Sequence, residues 1–458
     1  MQPSCYRNTP QWKQAGSGVA MSADFNFFQH WYPILPVADL VPDRPIAARL
    51  LGMPLAIWKP DEASSYRAFI DCCPHRLAPL SEGRIEGGQL ECCYHGWRFD
   101  TNGACTAVPQ AEDPQLLERH PERLQARVLP SCEANDLLWV WPDPDSPELA
   151  ARTPLPLSPQ IDTSQGFVWS SFVRDLAYDW QTLVENVADP SHVPFAHHGV
   201  QGDRNRASPL QVEIAESGPE RIVAELKRSF PATITFEPPC RLEYATQLGN
   251  SGKRIGLITY CLPVAPGRSR IVAQFARNFA YRAHRLTPRW WEHVRTRNQV
   301  LDGDMILLHH QEAALGQADR WQSAYTMPTQ ADRLVVAFRQ WFDRHCQGRL
   351  PWEAAGIEPS QPSIPEGRRE VLLDRYRQHT QHCRSCQGAL ARIEQLQAAA
   401  LAGAALLVVA IALLPDTYRL QAGLPLAAIT SLCAAAWVGL KYRLEPQFRF
   451  VDYVHAER

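Results

Sequence analysis

The chain has 458 residues, enough to bury a full core in two or three domains. Its 46 basic and 48 acidic side chains leave a formal charge of -2, so there is no basic footprint and nucleic acid is excluded as a partner at this level. Thirteen cysteines, with no apolar core in the opening MQPSCYRNTPQWKQ, point to a reducing, cytosol-like compartment, where clustered thiols more often bind metal or do redox work than form structural disulfides.

Recognisable structure begins at Phe27 to Pro33, so a start at Met21 instead of Met1 stays open. Between Trp31 and Trp141 the runs PIAARLLGMPLAIWK, YRAFIDC and DLLWVWP are apolar, aromatic and punctuated by Gly and Pro, which predicts a small antiparallel β domain. A Pro-rich seam follows from Pro142 to Pro159. From Gly166 to Gln347 strand-like runs (RIVAELKRSF, RIGLITYCL, RIVAQFARNF) alternate with helix-like ones such as WWEHVRTRNQVLDGDMILLHHQEAAL, a mixture that predicts an α+β domain. A second seam spans Pro351 to Gly367. The tail differs in kind: Ala398–Leu414 and Ala422–Leu440 are uncharged over 17 and 19 residues, lengths that can cross a bilayer, with a buried soluble hairpin as the alternative. Arg392 precedes the first run and Lys441 and Arg443 follow the second, which places both ends and the large body on the cytoplasmic side. The expected units are 27–145 (β), 160–350 (α+β), 366–397 (a helical tail with a CxxC) and 398–440 (two transmembrane helices).

Cys72 to Trp97 reads CCPHRLAPLSEGRIEGGQLECCYHGW, four cysteines and two histidines in 26 residues. Cys73 with His75 and Cys92 with His95 form two Cys/His pairs, which suit a tetrahedral zinc or a 2Fe-2S cluster with both histidines on one iron. Each pair lies in a loop between strand-like runs, and Gly83, Gly87, Gly88 and Gly96 leave backbone N–H groups free to approach bridging sulfides, which favours the cluster. Further on, WQTLVENVADPSHVPFAHHGV holds Asp189, His192 and His197 as D-x2-H-x4-H. Two imidazoles and one carboxylate on one face of Fe(II) leave open positions for O2. Asp189 and His192 would share a helix face, and Pro194 would turn His197 back toward the metal. The carboxylate should come from VLDGDMILLHHQ, where Asp304 shares its helical face with Leu301 and Leu308 and is preferred to Asp302; a surface aspartate is the alternative for both.

CPHR followed by CxYHGW resembles the signature of Rieske-type non-haem iron oxygenases. CPHRLAPLSEGRIE, LVENVADPSHVPFAHHG, the CRSC of the tail and the terminal apolar hairpin narrow this to the pheophorbide a oxygenase-like branch, with its chlorophyllide a oxygenase, chloroplast inner-envelope Rieske and cyanobacterial relatives. The resemblance implies an all-β Rieske domain, an α+β helix-grip-like catalytic domain and a C-terminal transmembrane hairpin. It implies a 2Fe-2S cluster on Cys73, His75, Cys92 and His95, and a mononuclear Fe(II) on His192, His197 and Asp304. Asp189 is then an electron-transfer bridge from His192 to a cluster histidine of a neighbouring subunit, which asks for a ring, commonly a homotrimer. Where respiratory Rieske proteins carry a disulfide, this sequence has Ala78 and Tyr94; Cys72 and Cys93 read as core cysteines, and the cluster belongs in the lower-potential oxygenase range.

The implied reaction takes electrons from a ferredoxin-type donor, activates O2 and hydroxylates or opens an apolar substrate, with a chlorophyll-derived tetrapyrrole such as pheophorbide a leading. Oxygenation or demethylation of another apolar molecule, and a non-catalytic tethered redox component, are the rivals. The absence of an evident transit peptide favours a bacterial plasma or thylakoid membrane. Cys383 and Cys386 form a CxxC that could bind zinc with His379 and His382, be two idle thiols, or be a redox-regulated dithiol as the resemblance suggests.

Overall fold

The computed structural model describes residues 25–113, 115–228, 230–354 and 367–457; Met21 and most of the Pro351–Gly367 seam lie outside the described residues. The N-terminal part is three small antiparallel sheets. In the first, Leu137–Val140 is central between Tyr32–Pro36 and Ser131–Ala134, and all four of its side chains are buried, as its unbroken LLWV requires. In the second, Ile46–Leu50, Met53–Trp58, Arg67–Ile70 and Val128–Leu129 pair in that order. Leu51 and Gly52 close its first hairpin with positive φ at both positions, the twist that a two-residue β-turn needs. Their N–H groups donate to Pro263 O and Val264 O, both at 2.8 Å, which docks this hairpin on the next domain. The third sheet runs Arg84–Glu86, Gln89–Glu91, Arg98–Phe99 and Cys105–Ala107, and packs Leu90 and Phe99 with Trp58, Phe69 and Leu80 in a separate small core.

The second domain is a seven-stranded antiparallel sheet in the order Val168–Leu176, Arg268–Arg277, Lys253–Ala265, Arg241–Leu248, Ala232–Glu237, Ile222–Lys227 and Gln211–Ser217. Burial alternates along Ile222–Lys227 and Ala232–Glu237, so the sheet covers its core with one face only. Helices Trp180–Ala188, Asn298–Leu315 and Arg333–Cys346 contribute buried residues to that core. The strand-like runs of the sequence are the strands, and the long helix-like run is divided. A short helix Arg289–Glu292 passes through a π-helical turn, His293–Arg297, into Asn298–Leu315.

In the tail, helix Arg384–Ala412 runs unbroken through residue 397, so the expected division between tail and first apolar run falls inside one helix. Helix Arg419–Gly439 packs back along it. The apolar windows of both are only 6% buried, and Leu401, Leu406, Leu413, Leu420, Leu424 and Leu432 are exposed, so the other described residues do not cover this hairpin. Beyond it, Pro446–Arg449 and the last residues return to the second domain, where Tyr453 is buried.

Candidate active site: a cluster loop pair and an iron pocket

Cys73 and His75 lie in the loop before Arg84–Glu86, and Cys92 and His95 in the loop before Arg98–Phe99. Each loop closes on itself, through Leu77 N to Cys73 O at 2.9 Å and Gly96 N to Cys92 O at 3.0 Å. Both sulfurs are buried, His75 is exposed and His95 half-buried, and the two imidazole centroids are 4.4 Å apart. The Cys73 thiol hydrogen-bonds Cys92 and lowers the Cys92 thiol against its burial. Trp97 stacks on His75 at 4.5 Å and fixes its ring. Two inward sulfurs and two outward imidazoles at one loop pair suit a cluster with its histidine iron toward the surface.

Two expectations for these loops need correction. The glycines serve the backbone: Gly83 N donates to Leu80 O, Gly96 N to Cys92 O, and Gly87 and Gly88, both at positive φ, make the turn of the Arg84–Glu91 hairpin. A Cβ at Gly83 would meet Glu91 O at 2.2 Å, which is why glycine stands there. Cys93 is no core cysteine; it is exposed at the loop tip, and Cys72 is half-buried.

His192, His197 and Asp304 converge. His192 Nε2 and His197 Nε2 are 3.2 Å apart, with Asp304 Oδ1 3.8 Å from the first and Oδ2 3.5 Å from the second. Three donors on one octahedral face sit roughly 3 Å apart. The two facing ring nitrogens either share one N–H or turn both lone pairs to an ion. Burial and neighbouring His192 lower His197 to about 3 and so keep its imidazole neutral and able to ligate, while burial pushes Asp304 up to about 6 against the pull of His192. Two ring nitrogens and a carboxylate at these distances fit an iron.

The local chain explains the approach. Helix Trp180–Ala188 stops at Asp189 because Pro190 follows and disfavours helical φ,ψ before it. Asp189 and His192 therefore do not share a helix face, as the spacing suggested; they sit in the turn between two helices. The Asp189 carboxylate accepts from Ser191 N at 2.7 Å and Ser191 Oγ at 2.5 Å, and its Oδ2 lies 3.6 Å from His192 Nδ1. His192 and His197 flank the one-turn helix Val193–Ala196, with Pro194 in its first turn. Asn186 hydrogen-bonds Asp304, and Tyr453 Oη donates to Ala196 O at 2.8 Å from the far end of the chain.

Neither Asn186, Tyr453 nor Gly303 was read from the sequence. A Cβ at Gly303 would meet Ala196 O at 2.7 Å and His197 Nδ1 at 3.2 Å, so glycine lets the Asp304 helix lie against the histidine turn. Its signal was present as an unforced glycine inside a helical run. Asp302, the less favoured candidate ligand, is neither a ligand nor the surface aspartate that stood as the alternative for both residues. It is fully buried, held by Arg174 at 2.7 Å and by Arg375 at 2.5 Å, on the other side of the helix from the histidines. Cys383 and Cys386 are buried beside His379 and His293, whereas His382 turns away to Asp175 at 3.2 Å.

The three converging residues and Asp189 border a cavity of about 1510 Å³, walled by Phe172, Tyr244, Leu248, Ile255, Leu257 and Phe275 among others. Arg297 also lines it, its guanidinium 3.2 Å from the Phe275 ring centre and its Nε without a hydrogen-bond partner.

A Rieske loop pair ahead of an antiparallel sheet, whose helices bring two histidines and an aspartate to a large cavity, defines a Rieske-type non-haem iron oxygenase. A Rieske [2Fe-2S] domain model matches residues 30–126, and a pheophorbide a oxygenase model matches residues 236–322. The pheophorbide a oxygenases of Oryza sativa subsp. japonica and Arabidopsis thaliana, both chloroplastic, are 40% and 37% identical over 463 residues, covering 95% of this chain and 86% and 85% of theirs. Flavonoid 8-hydroxylase 2 of Ocimum basilicum is 33% identical, covering 90% of this chain and 83% of its own. The crystal structure of dicamba monooxygenase bound to dicamba shares the fold, with a TM-score of 0.59 at 20% identity over 74% of this chain and 100% of that one. The chain belongs to the pheophorbide a oxygenase family, and its cofactors are a Rieske 2Fe-2S cluster and a mononuclear non-haem iron.

Proposed function

We propose that this protein is a membrane-anchored oxygenase that uses O2 and electrons from a ferredoxin-type donor to oxygenate a chlorophyll-derived tetrapyrrole, with pheophorbide a as the leading substrate. The observation that carries it is the convergence of His192, His197 and Asp304 on the wall of the 1510 Å³ cavity. That space exceeds the ~300–1,000 Å³ of ordinary small-molecule pockets and suits a large planar macrocycle. Its apolar walls match such a ring. Arg297, cationic at neutral pH although burial lowers it to about 10, offers an unpaired Nε to a carboxylate on the ring's edge.

Cys73, Cys92, His75 and His95 would hold the cluster, and His192, His197 and Asp304 the iron. When bound, these groups supply the electrons and the activation of O2. The side chains do the rest. Asp189 holds its carboxylate toward His192 Nδ1 and so orients the ring that faces the iron position. Asn186 holds Asp304 in the same way, and the aromatic walls exclude water. Asp189 is part-exposed and stays ionised, burial being outweighed by His192 and Ser191. That suits the proposed bridge to an exposed His75 or half-buried His95 of a neighbouring subunit in a homotrimer. Exposed Leu77 and Tyr94 flank those imidazoles and give such a neighbour an apolar contact.

The uncovered apolar hairpin supports a two-pass anchor, with the basic ends at Arg392, Lys441 and Arg443 keeping the body on the cytoplasmic side. The relatives named above are chloroplast proteins, so a bacterial placement draws no support from them. Flavonoid 8-hydroxylase 2 favours a second reading, hydroxylation of a smaller aromatic substrate in the same cavity. Incubating the reduced, detergent-solubilised enzyme with pheophorbide a and isotopically labelled O2 separates the two. Label in the tetrapyrrole product is expected; unlabelled, unchanged pheophorbide together with a labelled flavonoid would overturn the first.

A further inference from the structure

Outside the active site, one group of side chains has no part in the reaction. His293 comes from the π-helical turn before the Asp304 helix, His379 from the residue after Arg375–Gln378, and Cys383 and Cys386 from the start of the long tail helix. All four are buried, at 1% exposure for His293 and none for the other three, and their donor atoms lie within 4.8 Å of one another.

The distances between these donors are informative. Cys383 Sγ and Cys386 Sγ are 3.6 and 3.5 Å from His293 Nδ1, and Cys386 Sγ is 3.3 Å from His379 Nε2. Bond lengths of about 2.3 Å to sulfur and 2.0–2.1 Å to nitrogen, at tetrahedral angles, put sulfur and nitrogen about 3.5 Å apart. His379 Nδ1–H donates to Val173 O at 2.6 Å, which fixes the tautomer with its Nε2 lone pair turned to the sulfurs. Phe172 stacks on the same ring at 4.5 Å. Of the ring nitrogens of His293 and His379, His293 Nε2 is buried without a hydrogen-bond partner.

We propose that His293, His379, Cys383 and Cys386 form a closed Cys2His2 zinc site. Binding releases a proton from each thiol and leaves two thiolates and a divalent cation, a neutral set that can be buried where bare thiolates could not. Both sulfurs are sealed from solvent, so an external thiol has no path to attack them, which weighs for an ion over an exchanging dithiol. The zinc would clip three elements together: the base of the apolar hairpin, the turn that leads into the Asp304 helix, and, through His379 and Phe172, the strand Val168–Leu176 on the cavity wall.

Elemental analysis of the full-length enzyme, purified in detergent without chelators, tests it. About one zinc per chain is expected beside about three irons. The Cys383→Ser, Cys386→Ser double variant should lose the zinc and keep the Rieske EPR signal. Should that variant fail to fold, His293→Cys decides: reconstituted with cobalt(II) it should show a tetrahedral spectrum with stronger sulfur-to-metal charge transfer than the cobalt form of the wild type. No zinc and no cobalt spectrum in folded wild type, a fourth iron in place of zinc, or a Cys383–Cys386 disulfide in the intact mass would each overturn the assignment. None of these outcomes depends on the substrate.

Discussion

Two groups of metal-type donors sit on either side of the π-helical turn and the helix that follows it, and they differ in one respect. His192, His197 and Asp304 open onto a large cavity, with His192 22% exposed, whereas His293, His379, Cys383 and Cys386 are sealed on all sides. Three ligands with an open face suit chemistry; four closed ones suit structure. One helix serves both, since His293 precedes it and Asp304 lies in its second turn. The same helix also carries Asp302 to a third environment, the Arg174 and Arg375 pair. Within three residues, two buried aspartates have opposite partners.

The largest expected effect breaks the open site. Asp304→Ala should abolish turnover and remove about one iron per chain while sparing the Rieske EPR signal. Asp302→Ala, two residues away, should instead take from the buried Arg174 and Arg375 guanidiniums the carboxylate they share and destabilise the fold by about 3–5 kcal/mol in chemical denaturation, with iron content unchanged in the folded fraction. Identical outcomes for the two would end the distinction between them.

Asp189→Asn should reduce turnover by roughly 100-fold with both metal signals intact, because the amide keeps the shape and loses the charge facing His192. Rapid-mixing measurement of cluster reoxidation would locate the loss in electron transfer. Gly303→Ala sharpens the comparison further. Alanine gains about 1 kcal/mol in helix propensity, but its Cβ would meet Ala196 O, and overpacking of about 1–3 kcal/mol wins. Iron affinity by competitive chelation should weaken about 10-fold, the histidine turn being displaced.

The smallest effect is on pH. Protons compete with iron for Asp304, whose carboxyl is raised to about 6 by burial in the metal-free site, so iron is held above that pH and released as pH falls through it. Iron content after equilibration at pH 5 and pH 7 measures this; equal retention at both would contradict it.

Much of the site was legible because its chemistry is local. The Cys-x-His and Cys-x2-His pairs and the D-x2-H-x4-H run each lie within a few residues, and the preference for Asp304 followed from the apolar face it shares with Leu301 and Leu308, both buried. What escaped was long-range or depended on irregular backbone. Pro190 breaks the helix that Asp189 and His192 were expected to share. His293 joins Cys383 across 90 residues through a π-helical turn that has no sequence period, and so His382 stood in for it. The burial of Asp302 between two arginines was not legible because those partners lie 128 residues before it and 73 after.

Mössbauer spectroscopy of reduced enzyme grown on enriched iron tests the central claim most directly. A high-spin ferrous component of about one third of the iron, lost in Asp304→Ala, is the expected result. All of the iron in cluster components, with none lost on that substitution, would contradict it.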